Sequence, residues 1–470
     1  MGRYRIRQIA IMFSYPVFFY FGRKKMNFVK DNVKKLYRKF LASSMLTALA
    51  TSIYSFVDTI AVGRSEGDLG AASMAVITPI YGVLIFLAIF IGVGGSVLMS
   101  NAKGRNEETE GNEYFTVAIV IMSVLCAIFW ILFIVFSKQI LTFFGANSEL
   151  LPKAMEYTEW IIWFFPFFVM PTFISAFIRN DGAPVLTMVA VIIGGTINIF
   201  LDWFLVFPMK MGMRGAAIAT VIGTVVQVLI MCSRFFDKKC RLKIAKPHDF
   251  FKKAKNILSV GIGASILDLG TVIIVIVMNN SIKQYGSNSE LAVYGVLATL
   301  TSLFQALYCG VGQAIQPLVS ANYGANETDR IRQIWKMSLA TTIILGVLYT
   351  VLCELVPAQI VKVFVTATPA VIDAAPEIVR LYSIMFIALG VNVLSAYYLQ
   401  SIMRDKASML IAALRSIVVS GISILTLPLM LGIDGVWIAL PVSEFSVAIF
   451  AIVYIYAVAN KSKEVENIQR

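Results

Sequence analysis

The sequence predicts an all-α polytopic membrane protein with twelve transmembrane helices arranged in two six-helix lobes. Three observations support this fold class: the composition is strongly apolar, the apolar runs have the length of membrane spans, and the two halves of the chain repeat each other. Of the 470 residues, 58% are hydrophobic and 14% are charged, and the mean hydropathy is +0.80. A soluble domain of this size carries more charge on its surface, so we expect the lipid bilayer to surround most of the chain.

The apolar runs have the length of membrane-spanning helices. Runs of roughly 20 residues, enough to cross a bilayer, recur about twelve times between Phe40 and Ala459. They lack the alternating pattern of a transmembrane strand. The predicted spans are 40–61, 71–99, 114–136, 157–178, 185–207, 213–233, 257–280, 291–320, 335–356, 378–403, 408–430 and 435–458.

The same runs divide the chain into lobes and connecting segments. The N-lobe, with helices 1–6, is expected at 40–233, and the C-lobe, with helices 7–12, at 257–459. Residues 1–39 form a basic N-terminal extension, 234–256 a basic linker and 460–470 a C-terminal tail. Within the extension, Ile9–Phe21 is apolar but too short to span, so we expect it at the membrane interface or disordered.

The basic residues indicate membrane topology rather than nucleic-acid binding. The formal net charge is +13. With the N-terminus inside and residues at span ends counted with the adjoining loop, roughly 31 of the 40 Lys and Arg residues fall on the cytoplasmic side and about 8 outside, while Arg415 alone lies in the interior of a span. This asymmetry predicts a multi-pass protein of the plasma membrane with both termini in the cytoplasm and no nucleic-acid partner.

The cysteine and histidine content argues against an enzyme. The five cysteines have no CxxC spacing, and the single histidine, His248, lies in the basic linker. A His-based catalytic set or a Cys/His metal site is therefore not available. We expect no catalytic residues and no cofactor.

An internal repeat relates the two halves at an offset of 220 residues. Because each half holds an even number of spans, both enter the membrane in the same orientation, related by an axis along the membrane normal. Two such bundles enclose a central cleft and can rock about it, which is typical of a transporter. The matched positions are Gly92/Gly312, Leu98/Leu318, Ser100/Ser320, Gly104/Gly324, Asn106/Asn326, Glu107/Glu327, Ser175/Ser395, Ala176/Ala396, Gly212/Gly432, Gly215/Gly435, Ile218/Ile438 and Ala219/Ala439.

Two acids in the N-lobe are the main candidates for function. Asp202 follows Asn198 by one helical turn, and Asp58 follows Tyr54 by one turn, so we expect the Tyr54 hydroxyl to orient Asp58. An ionised acid in the bilayer costs about 2.5–3.5 kcal/mol and usually faces a functional cavity. A protonated Asp that pins a neighbouring helix is the structural alternative. Two carboxylates sharing one site of low dielectric cannot both ionise cheaply, so the pair is expected to take up a proton or one Na⁺.

Other polar positions carry weaker signals. For the glycines and alanines of the sixth span, we expect close helix packing rather than ligand binding. The C-lobe has acids of its own, of which Asp268 and Glu444 are weaker candidates because they lack a matching partner. The small and polar face of the sixth span comprises Ala216, Thr220, Gly223, Thr224 and Gln227, and the acids in other C-lobe spans include Asp268, Glu354 and Glu444.

Five segments together resemble the multidrug and toxic compound extrusion (MATE) transporters, in particular their bacterial multidrug-antiporter branch. The segments are 54–63, 180–184, 198–202, 212–220 and 310–317, within a resemblance that covers about Lys35 to Ala459. The resemblance implies twelve helices in two lobes and export of small amphipathic, often cationic compounds in exchange for Na⁺ or H⁺. It also implies an N-lobe cation site formed by Asp58, Asn198, Asp202 and Thr220, with Tyr54 nearby.

The sequence departs from this family at three points. Ser43 and Gly263 stand where relatives often have proline, so a proline-dependent kink is not expected. Asn392 lies near the position where relatives with a C-lobe cation site place an acid, whereas Glu444 matches an acid of the twelfth helix in some bacterial members.

Two alternatives belong to other functional classes. A lipid-linked oligosaccharide flippase of the same superfamily would need several cationic residues along the cleft, and the spans offer only Arg415. A membrane-embedded enzyme would need a His/Cys/Asp constellation and would give no reason for the duplication. We expect a monomer.

Overall fold

The computed structural model describes residues 26–364 and 369–469, and the regular structure in these ranges is helical. The N-lobe comprises α1 (Val33–Gly67), α2 (Ala72–Gly104), α3 (Glu108–Phe143), α4 (Leu150–Trp163), α5 (Phe165–Asn180), α6 (Pro184–Val206) and α7 (Gly212–Cys232). The C-lobe comprises α8 (Phe250–Tyr285), α9 (Asn288–Gly324), α10 (Thr328–Leu355), α11 (Pro357–Phe364), α12 (Pro369–Ser383), α13 (Met385–Ser401), α14 (Asp405–Ala413), a π-helical turn (Leu414–Val418), α15 (Val419–Leu431) and α16 (Ile433–Gln469).

These helices account for the predicted number of spans. Among the described residues, ten helices are long and apolar enough to cross a membrane, and α4 with α5 forms an eleventh span bent by 60°. Helix α8, with 36 residues, supplies the twelfth. In the C-lobe, the corresponding pair α12 and α13 meets at Ile384, whose backbone is helical, and together they form one span from Pro369 to Ser401. The predicted all-α fold with two six-helix lobes is confirmed.

Several helix boundaries differ from the prediction. Helix α1 begins at Val33 rather than at residue 40, because the side chain of Asn32 caps it by accepting from the Lys35 amide. The fourth span begins at Leu150 rather than 157, and the tenth at Pro369 rather than 378. Helical hydrogen bonding therefore continues beyond the apolar residues that define a span in the sequence. The predicted interfacial stretch Ile9–Phe21 lies outside the described residues.

The first helix of each lobe starts against the opposite lobe. The buried residues Leu36 and Phe40 of α1 share an apolar cluster with α9 and α10, and the Tyr37 hydroxyl donates to Thr341 Oγ1 at 2.8 Å. The start of α8 packs in the same way on the N-lobe, where Gly94 of α2 contacts Ile257. The two lobes thus exchange equivalent contacts, as the repeat predicts.

Paired glycines bring the lobes together at the ends of α2 and α9. A Cβ on Gly104 would lie 2.1 Å from the Ala321 carbonyl oxygen, and one on Gly324 would lie 2.0 Å from the Asn101 carbonyl oxygen. These four residues form two pairs related by the repeat. Only glycine permits so close a backbone approach. The lobes are therefore closed against each other at this end of the bundle.

Candidate functional site

The two N-lobe acids lie in one buried cluster that α1, α4, α6 and α7 form together. The Tyr157 hydroxyl donates to Asp58 Oδ2 at 3.1 Å and lies 3.3 Å from the Thr220 hydroxyl. Asn198 Nδ2 donates to the same Thr220 oxygen at 3.3 Å. These hydrogen bonds join Asp58 of α1 to Asn198 of α6 through a tyrosine and a threonine.

Asp202 lies beside this network without a hydrogen-bond partner of its own. Its exposed fraction is 0%, against 8% for Asp58, and the charge of Asp58 acts on it. Neither carboxylate oxygen of Asp202 has a hydrogen-bond partner among the described residues. A buried polar group without a partner costs about 1–3 kcal/mol, and more when it is charged. A proton or a cation would remove this cost at Asp202.

Close packing of α6 against its neighbours fixes the acids in place. A Cβ on Gly223 of α7 would lie 2.9 Å from Asn198 Cβ, and one on Gly194 would lie 2.6 Å from the Gly223 carbonyl oxygen. On the other side, the ring of Tyr54 lies against Gly195, where a Cβ would come within 3.0 Å. The predicted packing role is thereby confirmed for Gly223.

The tyrosine that orients Asp58 is not the one that the sequence suggested. Tyr54 was the predicted partner, but the hydroxyl that donates to Asp58 belongs to Tyr157, whose own oxygen lies 3.1 Å from the Tyr81 hydroxyl. Tyr157 and Tyr81 were both missed: Tyr157 begins a predicted span, where tyrosine is ordinary, and Tyr81 lies within a span without an acid or amide side chain one turn away to single it out. The 60° bend that ends α4 had one local signal, Pro166 at the start of α5, which the prediction of a continuous span overlooked.

The donor set suits a hard cation. Asp58 Oδ1, Asn198 Oδ1 and both oxygens of Asp202 have no hydrogen-bond partner in the described part of the chain. Carboxylate and amide oxygens are the ligands that hard cations prefer. No group of three or more His, Cys, Asp or Glu side chains that could hold a metal ion occurs in the described ranges. The cluster therefore fits Na⁺ or a proton better than a transition metal.

The C-lobe acid Glu444 has a partner, contrary to the prediction. Arg415 Nε donates to Glu444 Oε1 at 2.7 Å, and Asn392 Nδ2 donates to Glu444 Oε2 at 2.7 Å. Both charged side chains are 3% exposed. This ion pair leaves Glu444 without the free charge that a coupling site needs. Asp268 lies in α8, and its side chain is outside the part that the structure describes.

The remaining C-lobe acid lies away from this pair. Glu354, near the end of α10, is 3.6 Å from Arg380, and both side chains are largely exposed. An exposed ion pair of this kind contributes little to stability. Glu354 is therefore a surface residue rather than part of a buried site.

The sequence of the chain matches a known protein family. The MatE family profile matches residues 43–204 and 251–425. Multidrug export protein MepA of Staphylococcus aureus strain MRSA252 is 23% identical over 438 residues, covering 92% of this chain and 96% of that protein. The protein of the same name from Staphylococcus haemolyticus strain JCSC1435 is 23% identical over 436 residues, with the same shares covered.

Solved structures share the fold. A multidrug resistance MATE family transporter of the MOP superfamily, in an outward-facing conformation, matches with a TM-score of 0.87 at 19% identity, covering 93% of this chain and 98% of that one. A MOP superfamily transporter from Pyrococcus furiosus, described as having a binding pocket of reverse polarity, matches with a TM-score of 0.85 at 20% identity over 94% and 99% of the two chains.

Proposed function

The chain belongs to the MatE family of membrane transporters, and on that premise we propose that it exports small amphipathic cationic compounds in exchange for Na⁺ or H⁺. The relatives described above are named multidrug export proteins, which supports an efflux function. The two lobes alternate access to the cleft between them, and the ion gradient drives the cycle through the N-lobe acids.

One observation carries the ion-coupling proposal. Asp202 is fully buried, and its carboxyl group is close enough to that of Asp58 for the two to interact electrostatically. Neither of its oxygens has a hydrogen-bond partner among the described residues. A structural Asp that pins a helix would donate or accept a hydrogen bond. A buried carboxylate without one is stable only when a proton or cation neutralises it. Ion binding at this cluster therefore replaces the missing interactions.

The mechanism is antiport by competition. The ion neutralises Asp58 and Asp202 and favours one arrangement of the lobes, whereas a cationic substrate in the cleft favours the arrangement in which the acids are charged. Such coupling is a difference in binding free energy, and it is reciprocal. Na⁺ or H⁺ must weaken substrate binding by the factor by which substrate weakens ion binding.

The topology belongs to the same proposal. The lobes comprise the two sets of six spans, and the N-terminal segment, the central linker and the C-terminal tail are cytoplasmic in a plasma-membrane protein that acts as a monomer. The excess of Lys and Arg in those segments supports this orientation. The closed end, where Gly104 crosses Ala321, then faces the cytoplasm.

The flippase alternative gains no support from the C-lobe. Arg415, the basic residue expected to hold a pyrophosphate, is already paired with Glu444 at 2.7 Å. Several unpaired bases along the cleft would be needed to bind two phosphates.

Transport in proteoliposomes tests the proposal. Purified protein is reconstituted into vesicles containing a fluorescent cationic dye, and an inward or outward gradient of Na⁺ or of pH is imposed. We expect dye to move against the direction of one of the two ions, and to stop moving when that gradient is collapsed by an ionophore. A rate of dye movement that depends on neither the Na⁺ gradient nor the pH gradient would contradict antiport. Equilibrium binding of dye at several ion concentrations measures the reciprocal effect separately.

A further inference from the structure

A short segment before α1 has a fixed shape of its own. Residues 26–32, which we call the strap, are folded into a turn by the Asn27 side chain, which accepts from the amides of Val29 and Lys30, both at 3.0 Å. A side chain that bonds backbone amides two and three residues further on holds a turn without help from a helix or sheet. The strap can therefore transmit a pull between the groups at its two ends.

On one side the strap contacts the N-lobe and the linker. A Cβ on Gly182, between α5 and α6, would lie 3.7 Å from both Met26 Cε and Phe28 Cζ. Arg241 Nη2 donates to the Met26 carbonyl oxygen at 3.3 Å, and the Arg241 amide donates to Asp181 Oδ1 at 3.1 Å. The linker therefore fastens the start of the strap to the end of α5.

On the other side the strap is held by the C-lobe. Arg330 Nη2, at the start of α10, donates to the carbonyl oxygens of Phe28 at 2.8 Å and Asp31 at 2.7 Å. Asn322 of α9 donates to the same Phe28 oxygen at 3.1 Å and accepts from Arg330 Nε at 2.8 Å. Hydrogen bonds from a charged donor are about twice as strong as neutral ones. Arg330 is therefore the main attachment of the strap to the C-lobe.

The corresponding segment of the second half is held by the opposite chemistry. Position 248 of the linker corresponds to position 28, and its amide, that of His248, donates to Glu113 Oε2 of α3 at 3.3 Å. Lys253 Nζ lies 3.2 Å from the same oxygen, and the linker amides of Lys243 and Ala245 donate to further side chains of α3. Several side chains along α3 thus share the linker, whereas the strap depends largely on one arginine.

The strap also covers a cavity between the ends of the two lobes. Its volume is about 660 Å³, and residues 27–30 of the strap form part of its wall, together with 103–108 of the N-lobe and 324–327 of the C-lobe. The lobes are therefore not packed solidly at this end. The strap bridges a gap that side chains do not fill.

We propose that the strap is a latch on the closed end of the bundle and that Arg330 holds it in place. Parting of the lobes at this end pulls the strap from Gly182 on one side or from Arg330 on the other. Loss of the Arg330 contacts removes the link whichever attachment yields first, so this residue sets how often the end opens. The inference rests on the proposed alternation of the two lobes.

Two cysteine reporters test the latch in the purified full chain in lipid nanodiscs. Ser320→Cys, in an otherwise cysteine-free chain, places a thiol next to the glycine crossing at a fully buried position. Native Cys353, kept as the sole cysteine, is fully buried near the other end of α10. Arg330→Gln should speed thiol labelling at position 320 at least about tenfold, the factor by which losing one hydrogen bond from a charged donor shifts an equilibrium. Labelling of Cys353 should not become faster.

Two further variants make the test specific. Arg332→Gln is the matched control, because its side chain is 39% exposed one residue beyond the strap contact, and it should change neither rate. Asn27→Ala loosens the turn of the strap while Arg330 remains, and it should also speed labelling at position 320. The double variant Asn27→Ala with Arg330→Gln should be no faster than the faster single variant, because both changes release the same segment.

Three results would overturn the latch. The first is an unchanged labelling rate at position 320 in Arg330→Gln. The second is an equal acceleration at Cys353, which would indicate general loosening of the lobe. The third is full additivity of the two single variants, which would assign them to separate contacts.

The latch and the exporter can fail separately. Faster labelling at position 320 in a protein that moves no dye along an imposed gradient would support the latch and refute the exporter. Gradient-driven export of dye with unchanged labelling in Arg330→Gln would support the exporter and refute the latch.

Discussion

Replacing Asp202 with asparagine separates a coupling carboxylate from a packing one. The side chain loses no hydrogen bond to the described residues, because neither of its oxygens has a partner there. The change also removes the cost of holding a charge in the bilayer, about 2.5–3.5 kcal/mol. Asp202→Asn should therefore insert normally and melt at the same temperature as the wild type, or higher.

The effect on transport should be large. Coupling between two ligands commonly amounts to 1–3 kcal/mol, or about 5- to 150-fold in affinity. In Asp202→Asn, saturating Na⁺ or H⁺ should no longer change the affinity for the substrate. Efflux driven by the ion gradient should be lost, while binding of the cationic dye remains.

The assay combines dye efflux from cells with equilibrium binding to the purified variant. Asp329→Asn is the matched control. The Asp329 side chain is 95% exposed at the start of α10, and its charge lies outside the Asp58/Asp202 cluster and outside the Arg415–Glu444 pair. Expression is adjusted to equal protein in the membrane. Efflux and ion dependence at wild-type level in Asp202→Asn would refute the coupling role and identify a packing residue. A variant that failed to insert would refute the stability argument.

Three further predictions address the site, the lobe crossing and the topology. Tyr157→Phe removes the hydroxyl that holds Asp58 and should weaken ion coupling by about 1 kcal/mol, as measured by paired binding of dye and ion; no change would contradict its positioning role. Gly104→Ala should destabilise the closed end by about 1–3 kcal/mol, and a cysteine introduced by Ser320→Cys should then react faster with a thiol reagent. Gly82→Ala is the control and should change neither quantity, because an added Cβ there meets open space. The cysteine introduced by Lys246→Cys, in an otherwise cysteine-free chain, should react with a membrane-impermeant thiol reagent only after the cells are opened. Reaction in intact cells would refute a cytoplasmic linker.

The fold was predictable because two signals in the sequence report on it independently. Apolar length gives the number of spans, and the repeat gives their grouping and common orientation. The repeat is also visible in the backbone, where Asn106 and Asn326 have φ values of 67° and 57° and Gly212 and Gly432 have 52° and 61°. Helix ends were less predictable, because a helix such as α1 extends beyond the bilayer on caps that hydropathy does not record.

The candidate site was predictable only in part. Helical spacing placed Asn198 and Asp202 on one face, and the structure brings Asp58 and Thr220 to them. The sequence did not predict which residues of distant helices would contact these acids. Tyr157 contacts Asp58 from α4, and Arg415 contacts Glu444 from the π-helical turn Leu414–Val418. Contacts of this kind depend on how helices are placed in three dimensions, which the periodicity of a single helix does not encode.

The two lobes share a fold but differ in how their buried acids are neutralised, and under the proposed mechanism this difference determines where an ion acts. Position 58 of the N-lobe corresponds to the fully buried Met278, so the C-lobe has no equivalent of the first acid. Its own buried acid, Glu444, is held by a permanent cation, Arg415. In the N-lobe, the described contacts give Asp202 no such cation. Under the proposed mechanism, an exchangeable ion therefore changes the charge of the N-lobe only. Because the lobes contact each other through symmetric glycines, we propose that a change of packing in the N-lobe alters this contact, so that one ion site biases both lobes.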